Sequence, residues 1–453
     1  MELCAIVLLG CRGLAMRTVR GNLMVGLMLL LCGSAVAQGA GRIGGDSSAA
    51  PGAWRQLAKL TESSGVGYDE VGWSVAISKD GNTVAVGADS WCRKQGFDGC
   101  GQGAVFVFVK PTSGWSDMTE TALLLASDGQ PGDYLGTSVA ISDDGSTIVA
   151  GAPEWPADGK SNGALYVFVR PLGGWRNATE TARLVSTDGG GVDLGDSVGI
   201  SGNTVAGGGK YFNGLQGAAY VFLKPQSGWR NMTQKARLTP SDGKGGFMGW
   251  SVAVKGDTVV AGAPITGTGG AGDGVYVFVR PKGGWKNKTE TAKLSASRGT
   301  GFRLGYSVSI AGNTIVAGAP YWHSQDNGAA YVFVKPVKGW KGMTETARLT
   351  LPHSNDVGDV FGFSVAAEDQ GKAIRVGCPG CLLGKGVAFS FAEPASGWKT
   401  TSMFSSKLVA SDGVIGDRLG FSVSSSPAAI VAGAPYAAIG SNQKEGAAYV
   451  FGR

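Results

Sequence analysis

A segment that reads Leu135-Gly136-Thr137-Ser138-Val139-Ala140-Ile141 in one place recurs seven times along the chain. Its serines are Ser74, Ser138, Ser197, Ser251, Ser307, Ser364 and Ser422, spaced by 64, 59, 54, 56, 57 and 58 residues. A unit of that size buries too little surface to fold alone, so the units must stack, and this period indicates a propeller or a solenoid. A length of 453 residues would otherwise suggest two or three domains. The repeat makes it one.

The second unit shows the internal pattern. Gly136 to Ile141 reads as a first strand, Ser142-Asp143-Asp144-Gly145 as a tight turn, and Thr147 to Ala152 as a second strand closing at Gly151-Ala152-Pro153. A loop leads to a third strand at Gly163 to Val169. The chain then turns through Pro171, Gly173, Gly174 and Trp175 into a fourth, Thr179 to Val185. Short β-branched and aromatic runs punctuated by Gly, Pro, Asn and Asp are hairpin-connected strands. Runs such as Thr258-Val259-Val260-Ala261-Gly262 do not alternate between apolar and polar, which implies burial on both faces, as in blades stacked around an axis.

The chain ends supply the closure. Trp54 to Leu60 matches only a fourth strand, whereas Gly446 to Phe451 is a third strand with no fourth after it. The expected fold is therefore all-β: a seven-bladed β-propeller of four-stranded blades, closed by the N-terminal strand completing the last blade. Such a clasp removes two open sheet edges. Residues 54–453 form the propeller and residues 38–53 a short linker.

Residues 1–37 read as a signal peptide: Arg17 and Arg20, an apolar run from Leu23 to Leu31, then Ala35-Val36-Ala37 before Gln38. A lipoprotein signal ending at Cys32 is the alternative, although Leu31 sits where such signals want a small residue. The apolar run is short for a transmembrane helix, and no later run approaches 18 apolar residues. The expected location is secreted, extracellular or periplasmic. Removing residues 1–37 takes the formal charge from +6 to +4, and no Lys/Arg run stands out, which argues against nucleic acid. Cys92, Cys100, Cys378 and Cys381 then remain, as two local pairs that read as disulfides in an exported protein. Cys378-Pro379-Gly380-Cys381 also has the spacing of a redox motif, but the Leu-Leu-Gly-Lys-Gly after it is not a helix start.

The repeats resemble the FG-GAP family, whose best-known members are the N-terminal propellers of integrin α subunits. The GAP element is intact at Gly151-Ala152-Pro153, Gly262-Ala263-Pro264, Gly318-Ala319-Pro320 and Gly433-Ala434-Pro435. It is altered at Gly87-Ala88-Asp89, Gly207-Gly208-Gly209 and Gly377-Cys378-Pro379, and FG is literal only at Phe361-Gly362. The resemblance implies an adhesion-type binding propeller. It would also invite acidic calcium loops between the first two strands. Turns such as Ser142-Asp143-Asp144-Gly145 or Lys255-Gly256-Asp257 do not supply six or more oxygen ligands, so no metal and no cofactor is expected.

Only two His occur, His323 and His353, and no nucleophile elbow or phosphate loop appears. The expected function is recognition of a protein or glycan by a monomeric, non-enzymatic module. The alternatives are a polysaccharide lyase or hydrolase, for which His323 beside Asp326 is the pairing to test, and a purely structural envelope protein. Asp pairs precede four of the inner strands, as Asp128 and Asp133, Asp188 and Asp193, Asp356 and Asp359, and Asp412 and Asp417, and read as turn residues, with weak cation binding as the alternative. Asn177, Asn231 and Asn287 each begin an Asn-x-Thr sequon, also read as turn chemistry. Trp54, Trp115, Trp175, Trp229, Trp285, Trp340 and Trp398 share one repeat position, and Trp73, Trp250, Tyr306, Phe363 and Phe421 another; both read as packing. The loops between second and third strands vary and hold Trp91, Trp155, Tyr211, Phe212, Tyr321, Trp322, His323 and Tyr436. Binding residues usually sit on loops of a rigid scaffold, so these are the candidate ligand contacts.

Overall fold

The structure, a computed structural model, describes residues 53–92, 100–156, 161–243, 246–265, 273–298, 303–321, 327–352 and 358–453. The expected signal peptide, nearly all of the linker, and Trp322, His323, Asp326 and His353 lie outside the described residues. Seven small sheets stand in a ring, numbered here as blades one to seven from the inner strands that begin at Ser74, Ser138, Leu194, Ser251, Ser307, Ser364 and Ser422.

Each blade is an antiparallel meander. In blade two, Ser138–Ile141 pairs with Thr147–Ala152, that strand with Ala164–Val169, and the third with Ala182–Val185. The second strands are buried along their whole length in blades one and two, as their unbroken apolar runs require. In blade seven the outer place is taken by Arg55–Thr61, antiparallel to Ala447–Gly452, so the N-terminal strand closes the ring. The core is seven hydrophobic clusters, one at each blade interface; between blades one and two it joins Ala85, Val105 and Val107 to Ile148, Ala150, Tyr166 and Phe168.

Near the axis the repeated letters acquire a cause. The hydroxyl of each recurring serine donates to the carbonyl oxygen of a glycine on the next blade: Ser74 to Gly136, Ser138 to Gly195, Ser197 to Gly249, Ser251 to Gly305, Ser307 to Gly362, Ser364 to Gly420, and Ser422 back to Gly72, at 2.7 to 3.0 Å. The accepting glycines all have positive φ, and Gly362 at 93° is typical. Their carbonyls press on the GAP glycine of the preceding blade. A Cβ on Gly318 would lie 1.9 Å from the Gly362 oxygen and 2.4 Å from Ser307 Oγ. The motif is thus a backbone-to-backbone lock repeated around the ring. It also corrects the third repeat: Gly208 fills the GAP glycine's place, with a Cβ 1.8 Å from the Gly249 oxygen, so the element is Gly208-Gly209-Lys210 rather than Gly207-Gly208-Gly209.

A second set of contacts ties the outer strands together. In blades one to five a short strand leading into the outer strand lies parallel on the preceding blade, as Ala178–Thr179 does on Leu124 and Leu125. Asn177, Asn231 and Asn287 accept the N–H of Leu123, Arg183 and Arg237 at 2.8 Å, and Asp117 accepts that of Lys59. Three residues further on, Glu120, Glu180 and Glu290 each take both the N–H and the hydroxyl of a serine on that blade. The sequon asparagines therefore strap one blade to the next, and are not primarily turn residues. Trp54 departs from the tryptophan series. Trp115 and Trp398 donate their indole N–H to Gly81 and Gly371 in their own blades' first turns, whereas Trp54 lies against the guanidinium groups of Arg375 and Arg453.

The acidic loops divide into two roles. Asp69, Asp133 and Asp417 accept the backbone N–H three residues earlier, as turn residues do. Asp128, Asp188, Asp242 and Asp412 instead accept a tyrosine hydroxyl and pair with Arg183, Arg237, Lys293 and Lys59.

Candidate functional site

Between each locking glycine and its serine stands one residue that the lock does not constrain. In blade order these are Trp73, Thr137, Asp196, Trp250, Tyr306, Phe363 and Phe421, all half-buried at the mouth of the axial recess. Five are aromatic and form one continuous arc. Ring centroids are 5.5 Å apart for Trp250 and Tyr306, 5.0 Å for Tyr306 and Phe363, 4.8 Å for Phe363 and Phe421, and 4.7 Å for Phe421 and Trp73. Blades two and three break the arc with Thr137 and Asp196. Below it, a recess of about 250 Å³ is lined by the inner-strand serines and valines, among them Val75, Val198 and Val308.

The residue two places before each locking glycine has a left-handed backbone in all seven blades: Glu70, Tyr134, Asp193, Phe247, Arg303, Val360 and Arg418, with φ between 51° and 60°. Non-glycine residues occupy this region rarely, and the repeat holds it here seven times. Several of these side chains meet the residue that follows the GAP element. Arg303 lies 4.4 Å over the Tyr321 ring, Arg418 5.1 Å over Tyr436, and Phe247 5.6 Å from Tyr211. Tyr321 in turn contacts Tyr306 and Tyr436 contacts Phe421, so both extend the arc outward.

The broken sector is polar. Asp196 pairs with Lys210 at 2.7 Å, each side chain only 13% exposed, and Lys210 stands where four other blades have the GAP proline. The ammonium lies 5.0 Å over Tyr211 and 5.4 Å over Trp250, joining the ion pair to one end of the arc. Glu70, Asp89, Glu154 and Asp193 complete an acidic side on blades one to three. Burial pushes Asp193 up to about 8, helped by the charges of Asp196 and Glu154. Burial, then the Glu70 charge, holds Asp89 well above the usual carboxylate range. Burial likewise raises Asp196, against the pull of Lys210. Across the axis, blades five and seven present Arg303 and Arg418, so the mouth is bipolar as well as apolar.

The candidate contacts therefore separate. Tyr211, Tyr321 and Tyr436 join the mouth. Trp91 is 8% exposed and packs in the cluster between blades seven and one. Trp155 packs at the interface of blades one and two beneath the Arg183 guanidinium, and Phe212 between blades two and three beneath Arg237. In the sequence the arc itself reads as packing. The signal that could have exposed it is a repeat position aromatic in five copies and polar in the two adjacent ones.

Both disulfides form, Cys92–Cys100 and Cys378–Cys381, with Cα separations of 5.7 and 5.4 Å. Asp359 lies close enough to Cys378 and Cys381 to complete a metal-ligand group, but oxidised sulfurs are not thiolate ligands. No helix among the described residues is long and apolar enough to cross a membrane.

No curated protein sequence matches the chain. A family model for the FG-GAP repeat matches residues 54–108, 118–168, 232–278, 288–333 and 403–451, more than half of the sequence. The matched segments hold the first three strands of blades one, two, four, five and seven; the remainder includes those of blade three, with its Asp196–Lys210 pair, and of blade six, with Cys378–Cys381. On that coverage, and on seven locked blades, the chain belongs to the FG-GAP repeat family.

Proposed function

We propose that the protein is a secreted or cell-surface recognition module that takes a protein or glycan ligand at the mouth of the propeller. The observation that carries this reading is the clustering of the variable side chains. Aromatic rings run unbroken from blade four round to blade one, and carboxylates crowd blades one to three, where an even scatter would have suited a purely structural role. Aromatic faces at a shallow recess bind apolar ligand surface, whether a sugar ring or a protein side chain, and flanking charges fix its orientation. The rigid lock beneath keeps the cost of ordering the site low.

A glycan array and a pull-down from extracellular material, run with the wild type and with Trp250→Ala, Tyr321→Ala and Tyr436→Ala, test the proposal. Loss of an anchoring aromatic at an interface centre costs roughly 2 kcal/mol or more, about thirtyfold in affinity. Ligands whose binding is indifferent to all three substitutions would remove the mouth as the site.

A further inference from the structure

Among the described residues six of the seven seams between blades are strapped at the rim, and the exception points to a second binding site. The straps on blades one to four and on blade seven pair as short parallel strands with the outer strand of the blade before them. Blade five is covered at Leu349 by Thr401, whose backbone N–H donates to Arg348 and whose oxygen accepts from Thr350. Blade six has four strands, and among the described residues nothing pairs with the outer side of Ser406–Leu408.

The reason lies in how the ring closes. Ala58 opposes Val450 as Ala122 opposes Val107, so residues 53–56 are the counterpart of the strap Asp117 to Glu120. Gln56 keeps the last of these roles, accepting the N–H of Ser411 as Glu120 accepts that of Ser63. The rest of the strap does not cross to blade six. Arg55 pairs with Gly452 of its own blade, the register shifts between Gln56 and Ala58, and Ala53 offers no side-chain oxygen where Asp117 and Asn177 have one. Lys407 and Val409 are consequently exposed, while Leu123 and Leu125, their counterparts under a strap, are half-buried.

We infer that the outer edge of blade six is a strand-accepting site for an extended peptide segment of a partner protein, of the type Asn-x-Thr or Asp-x-Thr. The molecule itself displays the occupant's chemistry at the strapped seams. The Asn or Asp oxygen would accept the Lys407 N–H, the next residue would lie opposite Leu408 and the Thr opposite Val409, as Asn177, Ala178 and Thr179 do on Leu123, Leu124 and Leu125. An unpaired strand edge supplies main-chain affinity, and the side-chain oxygen supplies selectivity. This site is on the rim and does not depend on the reading of the axial mouth.

The probe is a synthetic peptide with the sequence Gly283 to Thr289, which carries Asn287 and stops before Glu290 because Gln56 fills that place. Mixed in excess with the full chain, it should bind saturably and slow amide exchange across residues 406–409 by about tenfold. The Asn287→Ala peptide should bind about fivefold more weakly, the loss of one hydrogen bond, without touching the protein. Val409→Pro, which removes an edge N–H, should abolish the protection. The inference falls if no saturable binding occurs, if both variants leave binding unchanged, or if the Lys407 and Val409 amides already exchange slowly in the free chain.

Discussion

Along each inner strand, three successive residues belong to two different regimes. In Gly362-Phe363-Ser364 the outer two join the ring of locks and recur in every blade, while the middle one faces the recess and ranges from Trp to Asp. The difference is one of what each residue meets. The glycines and serines meet backbone of a neighbouring blade at contact distance, so a single atom decides whether the ring closes. The middle side chains meet other side chains and the recess, apart from the Thr137 hydroxyl, which donates to the Tyr134 carbonyl of its own blade, so none of them takes part in closure. A regular scaffold and an irregular site are thereby built from adjacent letters.

The locked regime breaks most sharply at a GAP glycine. In Gly318→Ala the new Cβ would sit inside the Gly362 carbonyl, and neither backbone can yield without shifting a blade. A loss of about 3 kcal/mol or more is expected in chemical denaturation, the upper end of what overpacking a core costs. Gly283→Ala is the matched control: no atom lies within 4 Å of its Cβ, and stability should hardly change.

Glu62 tests the same regime with the opposite sign. Other repeats have Ala126, Ala296 or Ala410 at its position, whereas Glu62 is buried beside Asp69 and Glu445 at the closure seam. Burial, then Asp69, pushes its carboxyl from 4.5 up to about 10. A carboxyl raised on folding binds its proton more tightly in the native state, so stability falls as pH climbs from 4.5 and stops falling near 10. At pH 7 the cost is about 3 kcal/mol, taking 1.36 kcal/mol per unit. Glu62→Gln should recover that amount at pH 7, with nothing gained at pH 4. A gain that is flat with pH would mean that the effect is packing and not charge.

How far the sequence disclosed all this follows the same division. Strand pattern, blade number and closure were legible because they rest on local periodicity and on matched chain ends. The reason for Ser307 and Gly318 was not, because their partner Gly362 lies on the next blade and belongs to no local pattern. Three consecutive glycines put the third GAP element one residue early in the sequence, at Gly207, and only the Gly249 carbonyl on the next blade places it at Gly208. Asn177 read as a turn residue since its acceptor role spans 54 residues of chain. The loop aromatics are irregular in number and place, yet Trp91 is buried, and the more informative irregularity is in the inner strand, where Thr137 and Asp196 interrupt an aromatic series.

The free regime is tested by making blade three obey the pattern of its neighbours. Asp196→Ala alone leaves the Lys210 ammonium buried without its carboxylate, at a cost of about 2 kcal/mol, below the roughly 3–5 kcal/mol of a fully enclosed pair because each partner keeps 13% exposure. Asp196→Phe combined with Lys210→Pro installs what blade seven has at Phe421 and Pro435 and removes both charges together. If the middle residue is free of the lock, this double variant should match the wild type in denaturation to within about 1 kcal/mol, since replacing a buried ion pair by apolar groups is often neutral. It should nonetheless lose any ligand that needs the polar notch, because the arc would then run through blade three. Should the double variant unfold as readily as Asp196→Ala, the ion pair belongs to the scaffold, and the boundary between the two regimes lies closer to the axis than the side chains of Asp196 and Lys210.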